Sequence, residues 1–305
     1  MPSSYRNFPS RIFGYDGALN RRHFIASGIA AAPALLAEKT RDIRKAIMYE
    51  TIRIDGPILA KFKAVKEAGF VGIEPMSHMP QNEVLDAFAA TGLKPASVCC
   101  ATHWKQPLSD PDPAVRKAGL DGLMQALRDA KAYGASSVLL VPAVVSKKVA
   151  YDEAWSRSQT EIRKAIPLAH ELGVKIAIEN VWNLFLLSPL EAARFVDEFE
   201  SPAVGWHFDI GNVINYGYPE QWIRLLGKRI AKLHIKEYSR AKRDKEGPSA
   251  GFRTPLLTGD NDWPAIMAAL DGVGYTGWGI AEQVGANSPE GLRAISTAMD
   301  QIFAS

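Results

Sequence analysis

Four polar residues of this sequence each stand where a short apolar segment ends: Glu179, Asp209, His234 and Glu282. The segments that they close have the composition of β-strands and span residues 174–179, 204–209, 230–234 and 277–282. Three carboxylates and one imidazole, with room left for substrate oxygens, suit a six-coordinate divalent ion. We therefore predict a divalent-metal site, with Mn²⁺ preferred and Mg²⁺, Co²⁺ or Zn²⁺ as alternatives.

The alternation of side chains along a strand predicts what lies beneath these four residues. His207 should point to the same side as Asp209, one layer below it, and we interpret it as a hydrogen-bonded core histidine. Lys175 and Lys232 should lie at the opposite end of the strands, where a lysine side chain can reach water.

The elements that must position the four residues form a repeating pattern. Eight strand-like segments alternate with helix-like segments between residues 45 and 304. Two of the helices have clear starts, because Asp112 precedes Pro113 and because Ser188 and Glu191 form a capping-box pattern. Residues 236–259 are predicted to be the longest loop. The pattern favours an α/β fold of the (β/α)8 TIM-barrel type, in which all strands end on one face.

The N-terminal region has the features of a targeting segment. Arg21 and Arg22 precede an uncharged, alanine-rich run over residues 25–37, which is too short to span a bilayer. The pair resembles the twin-arginine export signal of bacteria. We therefore predict a signal over residues 1–37, a single barrel domain over residues 38–305 and a periplasmic or otherwise exported protein. If the segment instead packs on the domain as a helix, a cytoplasmic location is expected.

Charge and cysteine content exclude several classes of protein. Beyond residue 37 the chain holds 32 basic and 32 acidic residues, so no nucleic-acid partner is expected. No window in that part is apolar enough to suggest a membrane partner after signal removal. Cys99 and Cys100 are adjacent, and a strained bridge between neighbours is improbable, so we predict two buried free thiols. A homo-oligomer is left open.

Several longer motifs surround the four strand-end residues. They read Glu179-Asn180, Phe208-Asp209-Ile210-Gly211-Asn212, His234-Ile235-Lys236-Glu237-Tyr238-Ser239-Arg240, Gly259-Asp260-Asn261-Asp262-Trp263-Pro264 and the closing Glu282. Together they resemble the xylose-isomerase-like TIM-barrel superfamily. Within it, the resemblance is to the sugar (phosphate) isomerases and epimerases, which include ketose 3-epimerases, hydroxypyruvate isomerase and L-ribulose- or L-xylulose-5-phosphate 3-epimerases.

The resemblance implies roles for individual residues. All four strand-end residues would bind the metal, and Glu179 and Glu282 would also move the substrate proton. Arg240 would contact both the substrate and Glu282. Asn212 stands where the ketose epimerases carry a substrate-contacting histidine, so the exact substrate stays open.

Other side chains at or just past strand ends are candidates for the pocket wall. The polar candidates for substrate binding are Glu74, His103 and Lys236, together with the neighbouring Trp104. Trp182 and Phe185 are candidates for stacking on a sugar ring or for packing in the core.

These observations predict a divalent-metal-dependent sugar isomerase or epimerase. One carboxylate would remove a C–H proton next to a carbonyl, giving an enediolate, and the second carboxylate would return a proton. Two alternatives stay open: a metal-dependent sugar dehydratase or lyase on the same barrel, and a non-catalytic exported sugar-binding domain. An apurinic endonuclease is disfavoured, because the chain has few histidines and no basic face. Export would favour free sugars or sugar derivatives over sugar phosphates.

Overall fold

A nearly closed barrel of parallel strands forms the centre of the computed structural model, which describes residues 41–305. The strands are β1 (Ile43–Met48), β2 (Gly72–Glu74), β3 (Lys94–Pro95), β4 (Val98–Cys99), β5 (Ser137–Leu140), β6 (Lys175–Glu179), β7 (Val204–Asp209), β8 (Ile230–Ile235) and β9 (Gly277–Ala281). They pair in parallel in the order β3-β2-β1-β9-β8-β7-β6-β5-β4. Because only Ala96 and Ser97 separate β3 from β4, these two are halves of one interrupted strand. The predicted TIM-barrel fold is confirmed.

Helices follow the strands along the chain, and several of them begin at a capping side chain. They are α1 (Ile58–Glu67), α2 (Gln81–Thr91), α3 (Pro113–Tyr133), α4 (Tyr151–Leu172), α5 (Pro189–Asp197), α6 (Ile210–Ile214), α7 (Pro219–Leu226), α8 (Arg240–Glu246), α9 (Trp263–Gly272) and α10 (Pro289–Ala304). Asp112 accepts a 2.8 Å hydrogen bond from the Ala114 amide at the start of α3. Ser188 accepts one of 3.2 Å from the Glu191 amide at the start of α5. Both predicted caps are therefore confirmed.

The segment predicted to be the longest loop contains regular structure. Residues 236–259 include α8 and a 3₁₀ segment, Pro248–Phe252. Ser239 caps α8 by accepting from the Lys242 amide, and the rings of Tyr238 and Phe252 pack edge to face with centroids 4.9 Å apart. The prediction of a loop without elements was wrong, because a local cap and an aromatic pair order this stretch.

Strand side chains divide between a large outer core and a small inner one. Ile178 and Phe208 point outward into the cluster that joins strands to helices. The inner cluster consists of Ala46, Ala96, Trp278 and Ile280. This alternation places the side chains of Glu179 and Asp209 on the interior side of the barrel.

The N-terminal end of the barrel departs from one prediction. Lys175 is exposed, as predicted, but Lys232 is buried and its Nζ donates to Ser136 Oγ at 2.9 Å. Arg44 stacks over the Trp278 ring at 4.1 Å at the same end of the sheet. The expectation that Lys232 reaches water was wrong, because its side chain is buried and its ammonium group is hydrogen-bonded to Ser136 instead. Burial lowers the pKa of Lys232 to about 8.

Cys99 and Cys100 are buried free thiols, which confirms their predicted state. Among the residues described, no helix combines the length and apolar character needed to cross a membrane. The predicted signal over residues 1–37 lies outside the described residues.

Candidate active site

The four strand-end residues meet at one end of the barrel. Glu179 and Asp209 are the last residues of β6 and β7, His234 is the next-to-last residue of β8, and Glu282 directly follows β9. One ligand atom from each of these residues lies within 4.8 Å of the corresponding atoms of the others. The Nδ1 atom of His234 lies 2.9 Å from Glu179 Oε1 and 3.0 Å from Glu282 Oε2. Side chains from four consecutive barrel strands therefore form one cluster.

The pairing register of the strands produces this convergence. Asp209 is the pairing partner of His234, so these two stand at the same level on neighbouring strands. Glu282 is held at the next strand by its amide, which donates to the Ile235 carbonyl at 3.1 Å. A slip of one residue in any of these strands would turn its ligand away from the barrel interior.

Asp209 is oriented by the asparagines on either side of it. Asn180 Oδ1 accepts from the Asp209 amide at 3.0 Å, and Asn180 Nδ2 donates to the Asp209 carbonyl at 2.7 Å. Asp209 Oδ1 caps α6 by accepting from the Asn212 amide at 2.8 Å. Oδ1 is therefore engaged, and Oδ2 is the oxygen near the cluster. Sequence reasoning did not assign Asn180 a role; its position directly after Glu179 was the available signal.

Lys236 places a positive charge against the cluster. Its Nζ lies 2.7 Å from Glu282 Oε2 and 3.0 Å from Asp209 Oδ2. These two carboxylates raise the pKa of Lys236 against the opposite effect of its burial. Lys236 therefore stays charged and offsets part of the negative charge of the carboxylates.

Burial and neighbouring charges shift the three carboxylates in different directions. Burial raises the pKa of Asp209 to about 7, although Lys236 opposes this shift. Burial also raises the pKa of Glu179, against the hydrogen bond with His234. For Glu282, burial alone would raise the pKa, but Lys236 and His234 hold it well below its usual range. The two glutamates therefore differ in basicity, which is typical of paired acid and base groups.

The donor set fits a divalent cation. Three carboxylates and one imidazole converge in a largely buried location and offer ligand atoms that lie within 4.8 Å of one another. Oxygen-rich sites with one nitrogen donor suit Mn²⁺, Mg²⁺ or a borderline ion such as Co²⁺ or Zn²⁺. The side chain of Glu282 is 26% exposed, so the cluster is accessible from outside at that residue.

A cavity of about 230 Å³ adjoins the cluster. Its wall includes the cluster residues Glu179, His234 and Glu282 and also Met48, Cys99, His103, Trp104, Val181, Trp182, Asn212, Lys236 and Phe252. Burial lowers the pKa of His103 to about 4, so this histidine is neutral. Its Nδ1 accepts from the Val141 amide at 3.2 Å. The predicted candidates His103, Trp104, Trp182, Asn212 and Lys236 thus lie on the cavity wall, and Phe185 lies in the hydrophobic core.

Arg240 points elsewhere. Its Nε donates to the Ile214 carbonyl at 3.0 Å and one terminal nitrogen donates to the Gly217 carbonyl at 3.1 Å. Within residues 41–305, the basic side chains that contact Glu282 are those of Lys236 and His234, and not that of Arg240. The predicted contact between Arg240 and Glu282 was therefore wrong, because Arg240 begins α8 and reaches the α6–α7 connection. Its contact with substrate stays a prediction.

Two interior residues lie beneath the cluster. Glu74 is fully buried, and its Oε2 lies 3.0 Å from His234 Nε2, so it is not part of the cavity wall. His207 is also fully buried, with its ring centroid 4.2 Å from that of His234. Neither nitrogen of His207 has a hydrogen-bond partner in the described part of the chain. Its core position is as predicted, but the expected hydrogen bond was wrong, because no donor or acceptor in the described residues reaches its ring nitrogens.

Comparison with known proteins now identifies the family. The sequence model of a family described as a xylose isomerase-like TIM barrel matches residues 62–301. The chain belongs to this xylose isomerase-like TIM barrel family. The resemblance predicted from the motifs is thereby confirmed at the level of the family.

Relatives of this xylose isomerase-like protein include named epimerases, which are isomerases. An L-ribulose-5-phosphate 3-epimerase of Salmonella paratyphi C is 24% identical over 72% of this chain and 75% of its own length. A D-allulose 3-epimerase from Methylomonas sp. has a TM-score of 0.69 and 19% identity, over 86% of this chain and 99% of that one. A 3-keto-D-glucoside 4-epimerase from E. coli has a TM-score of 0.71 and 18% identity, over 85% and 98%. At these identities the structural matches support the fold alone.

Proposed function

We propose that this protein is a divalent-metal-dependent sugar isomerase or epimerase that transfers a proton between substrate carbon and the carboxylates of Glu179 and Glu282. The observation that carries the proposal is the meeting of two glutamates of unlike basicity in one four-residue cluster beside a cavity. Named epimerases among the relatives support the same class of reaction.

Glu179, Asp209, His234 and Glu282 are proposed to hold the ion, with Mn²⁺ as the preferred metal. A bound divalent cation would supply Lewis-acid stabilisation of negative charge that develops on substrate oxygens. Side chains of the protein would supply the proton transfer and the orientation of the substrate.

Glu179 is the proposed general base. Burial raises its pKa, which makes its carboxylate a stronger base than an exposed glutamate. It takes the proton of a C–H bond next to the substrate carbonyl, and the electrons of that bond form the enediolate. For inversion, Glu282 first takes a proton from solvent and delivers it to the other face of the same carbon, and Glu179 releases its proton to solvent. Delivery by Glu179 of its own proton to the neighbouring carbon, on the same face, interconverts aldose and ketose.

The cavity wall is proposed to orient the substrate. Lys236 and Asn212 offer a charged donor and an amide beside the ligands, and Trp182 offers an aromatic face for a sugar ring. The neutral His103 provides a further polar group at the same wall.

We propose an uncharged keto sugar or keto-glycoside as the substrate in preference to a sugar phosphate. The named relatives act on L-ribulose 5-phosphate, D-allulose and a 3-keto-D-glucoside. Among the described residues that line the cavity, Lys236 is the one lysine or arginine, and it is already paired with two carboxylates. A phosphate dianion would therefore lack a cationic partner.

We further propose export by the twin-arginine route, on the evidence of Arg21, Arg22 and the run that follows. Fractionation of cells that produce the full chain tests this proposal. Recovery in the cytoplasm alone would contradict it and would remove one argument for free sugars.

The reaction is tested by deuterium incorporation from heavy water. The protein is incubated with a panel of ketoses, keto-glycosides and sugar acids, phosphorylated and unphosphorylated, with Mn²⁺, Mg²⁺, Co²⁺ or Zn²⁺ supplied. We expect metal-dependent exchange at the carbon next to the carbonyl. Loss of water from a substrate would instead indicate a dehydratase or lyase, and ligand binding without any exchange would indicate a non-catalytic domain.

A further inference from the structure

The Glu74 carboxylate occupies an unusual position for a charged group. It is fully buried at the end of β2, and β1 and β9 separate that strand from β8 in the sheet order. Its contact with His234 on β8 therefore crosses the barrel interior, at 3.0 Å between Glu74 Oε2 and His234 Nε2. Burying a carboxylate costs free energy unless the group is paired. The contact with His234 is therefore expected to offset the cost of burying Glu74.

His234 presents its two ring nitrogens to different partners. Nδ1 lies in the cluster of ligands, 2.9 Å from Glu179 and 3.0 Å from Glu282, whereas Nε2 faces Glu74 on the opposite side of the ring. A histidine that binds a cation through Nδ1 keeps its single proton on Nε2. That proton is directed at Glu74 Oε2.

The other polar groups near Glu74 form no hydrogen bond with its carboxylate in the described part of the chain. Glu74 Oε1 and both nitrogens of His207 have no hydrogen-bond partner among the described residues. Lys232, which lies deeper in the barrel, donates to Ser136 Oγ. His234 is therefore the hydrogen-bond partner that the described structure provides for the Glu74 side chain.

We propose that Glu74 is a positioning residue for the metal site: it holds the Nε2 proton of His234 and so presents the Nδ1 lone pair to the divalent ion. This role replaces the substrate binding that the sequence predicts for Glu74, and it rests on the proposed function only in requiring that His234 bind a metal. A carboxylate behind a ligating histidine fixes the ring orientation and increases the basicity of the ligand nitrogen.

The test compares Glu74→Gln with a matched control. Asp129 is a buried carboxylate on α3 that accepts 2.9 Å hydrogen bonds from the His78 amide and from Gln125 Nε2, remote from the cluster. Asp129→Asn makes the same change from acid to amide there. Co²⁺ and Mn²⁺ affinities are measured by competition with a chelating dye, together with thermal unfolding of each metal-free protein.

We expect Glu74→Gln to weaken metal binding roughly 10- to 100-fold. We expect Asp129→Asn to leave the metal affinity unchanged, whatever it does to the unfolding temperature. Equal affinity of Glu74→Gln and wild type would overturn the positioning role and leave the metal site intact. Failure of the wild type to bind any divalent ion would instead overturn the proposed function.

A second measurement needs no Glu74 variant. In Zn²⁺-loaded wild-type protein labelled with ¹⁵N-histidine, we expect a strongly downfield Nε2–H proton for His234 that exchanges slowly with solvent, as for a buried hydrogen bond to a carboxylate. The His234 signal is assigned by its loss in His234→Gln. A His234 signal at the position of a solvent-exposed imidazole would contradict the proposal even if Glu74→Gln failed to fold.

Discussion

The two ends of the barrel treat buried charge in opposite ways. At the C-terminal end, Lys236 lies within 3.0 Å of Asp209 and Glu282, and these carboxylates raise its pKa. At the N-terminal end, Lys232 contacts the hydroxyl of Ser136, and burial lowers its pKa to about 8. Both lysines are largely removed from water, so the neighbouring groups determine whether the charged or the neutral form of the amine is favoured. At the C-terminal end, ion pairs therefore stabilise the charged form of the lysine, whereas at the N-terminal end burial destabilises it.

The same contrast separates two neighbouring histidines. His234 places both nitrogens against glutamates, whereas His207, with its ring centroid 4.2 Å away, has no hydrogen-bond partner in residues 41–305. The proposed metal site thus differs from the adjacent core by the contacts of its side chains and not by residue type.

The largest expected effect is on proton transfer. Glu179→Gln removes the proposed base while keeping the shape of the side chain, and we expect deuterium exchange into substrate to fall about 10³-fold. Nuclear magnetic resonance of the substrate in heavy water measures the rate, with Asp129→Asn as an acid-to-amide control outside the cluster. Exchange at the wild-type rate in Glu179→Gln would remove this residue from the reaction.

The second-largest expected effect is on the free energy of unfolding, through Lys232 at the N-terminal end of the barrel. Burial lowers the pKa of Lys232 to about 8 in the folded protein, from 10.5 for a lysine exposed to water. Between these pH values the unfolded chain binds more protons, so stability rises with pH across this window. The penalty is fully present below about pH 8 and amounts to about 3 kcal/mol.

Lys232→Met removes that penalty. We expect the variant to be more stable than wild type at pH 7 by up to about 3 kcal/mol, and the difference to shrink toward pH 10.5. Urea unfolding of both proteins at several pH values between 7 and 10.5 measures it. A difference that stays constant over this range would show that Lys232 is not a desolvated lysine.

A smaller effect is expected at Lys236. Lys236→Met removes a positive charge that lies against two proposed ligands, so we expect the affinity for Mn²⁺ to rise about tenfold. Turnover should fall in the same variant, because the cavity wall loses its charged donor. Weaker Mn²⁺ binding would mean that Lys236 supports the ligands instead of competing with the ion.

Local patterns were sufficient to predict the fold and the members of the cluster. Alternation of strands and helices, the caps at Asp112 and Ser188, and the position of each acid at a strand end are all features of neighbouring residues. A parallel barrel then brings strand ends together without further information.

Contacts across the barrel could not be predicted in this way. The pairing of Glu74 with His234 joins residues 160 positions apart, and nothing in either segment specifies it. The direction of Arg240 depends on α8, which forms inside a stretch that composition marked as a loop. The buried contact of Lys232 is likewise with a distant residue, Ser136, 96 positions away.

Glu179, Asp209, His234 and Glu282 are proposed to bind one divalent ion together. Metal-free protein is titrated with Mn²⁺, and bound ion is counted after equilibrium dialysis, for wild type and for an Asp209→Ala/His234→Ala double variant whose folding is verified by circular dichroism. We predict one tightly bound ion per chain in wild type and none in the folded double variant. Wild-type protein that binds no divalent ion, or a double variant that binds it equally well, would contradict the account.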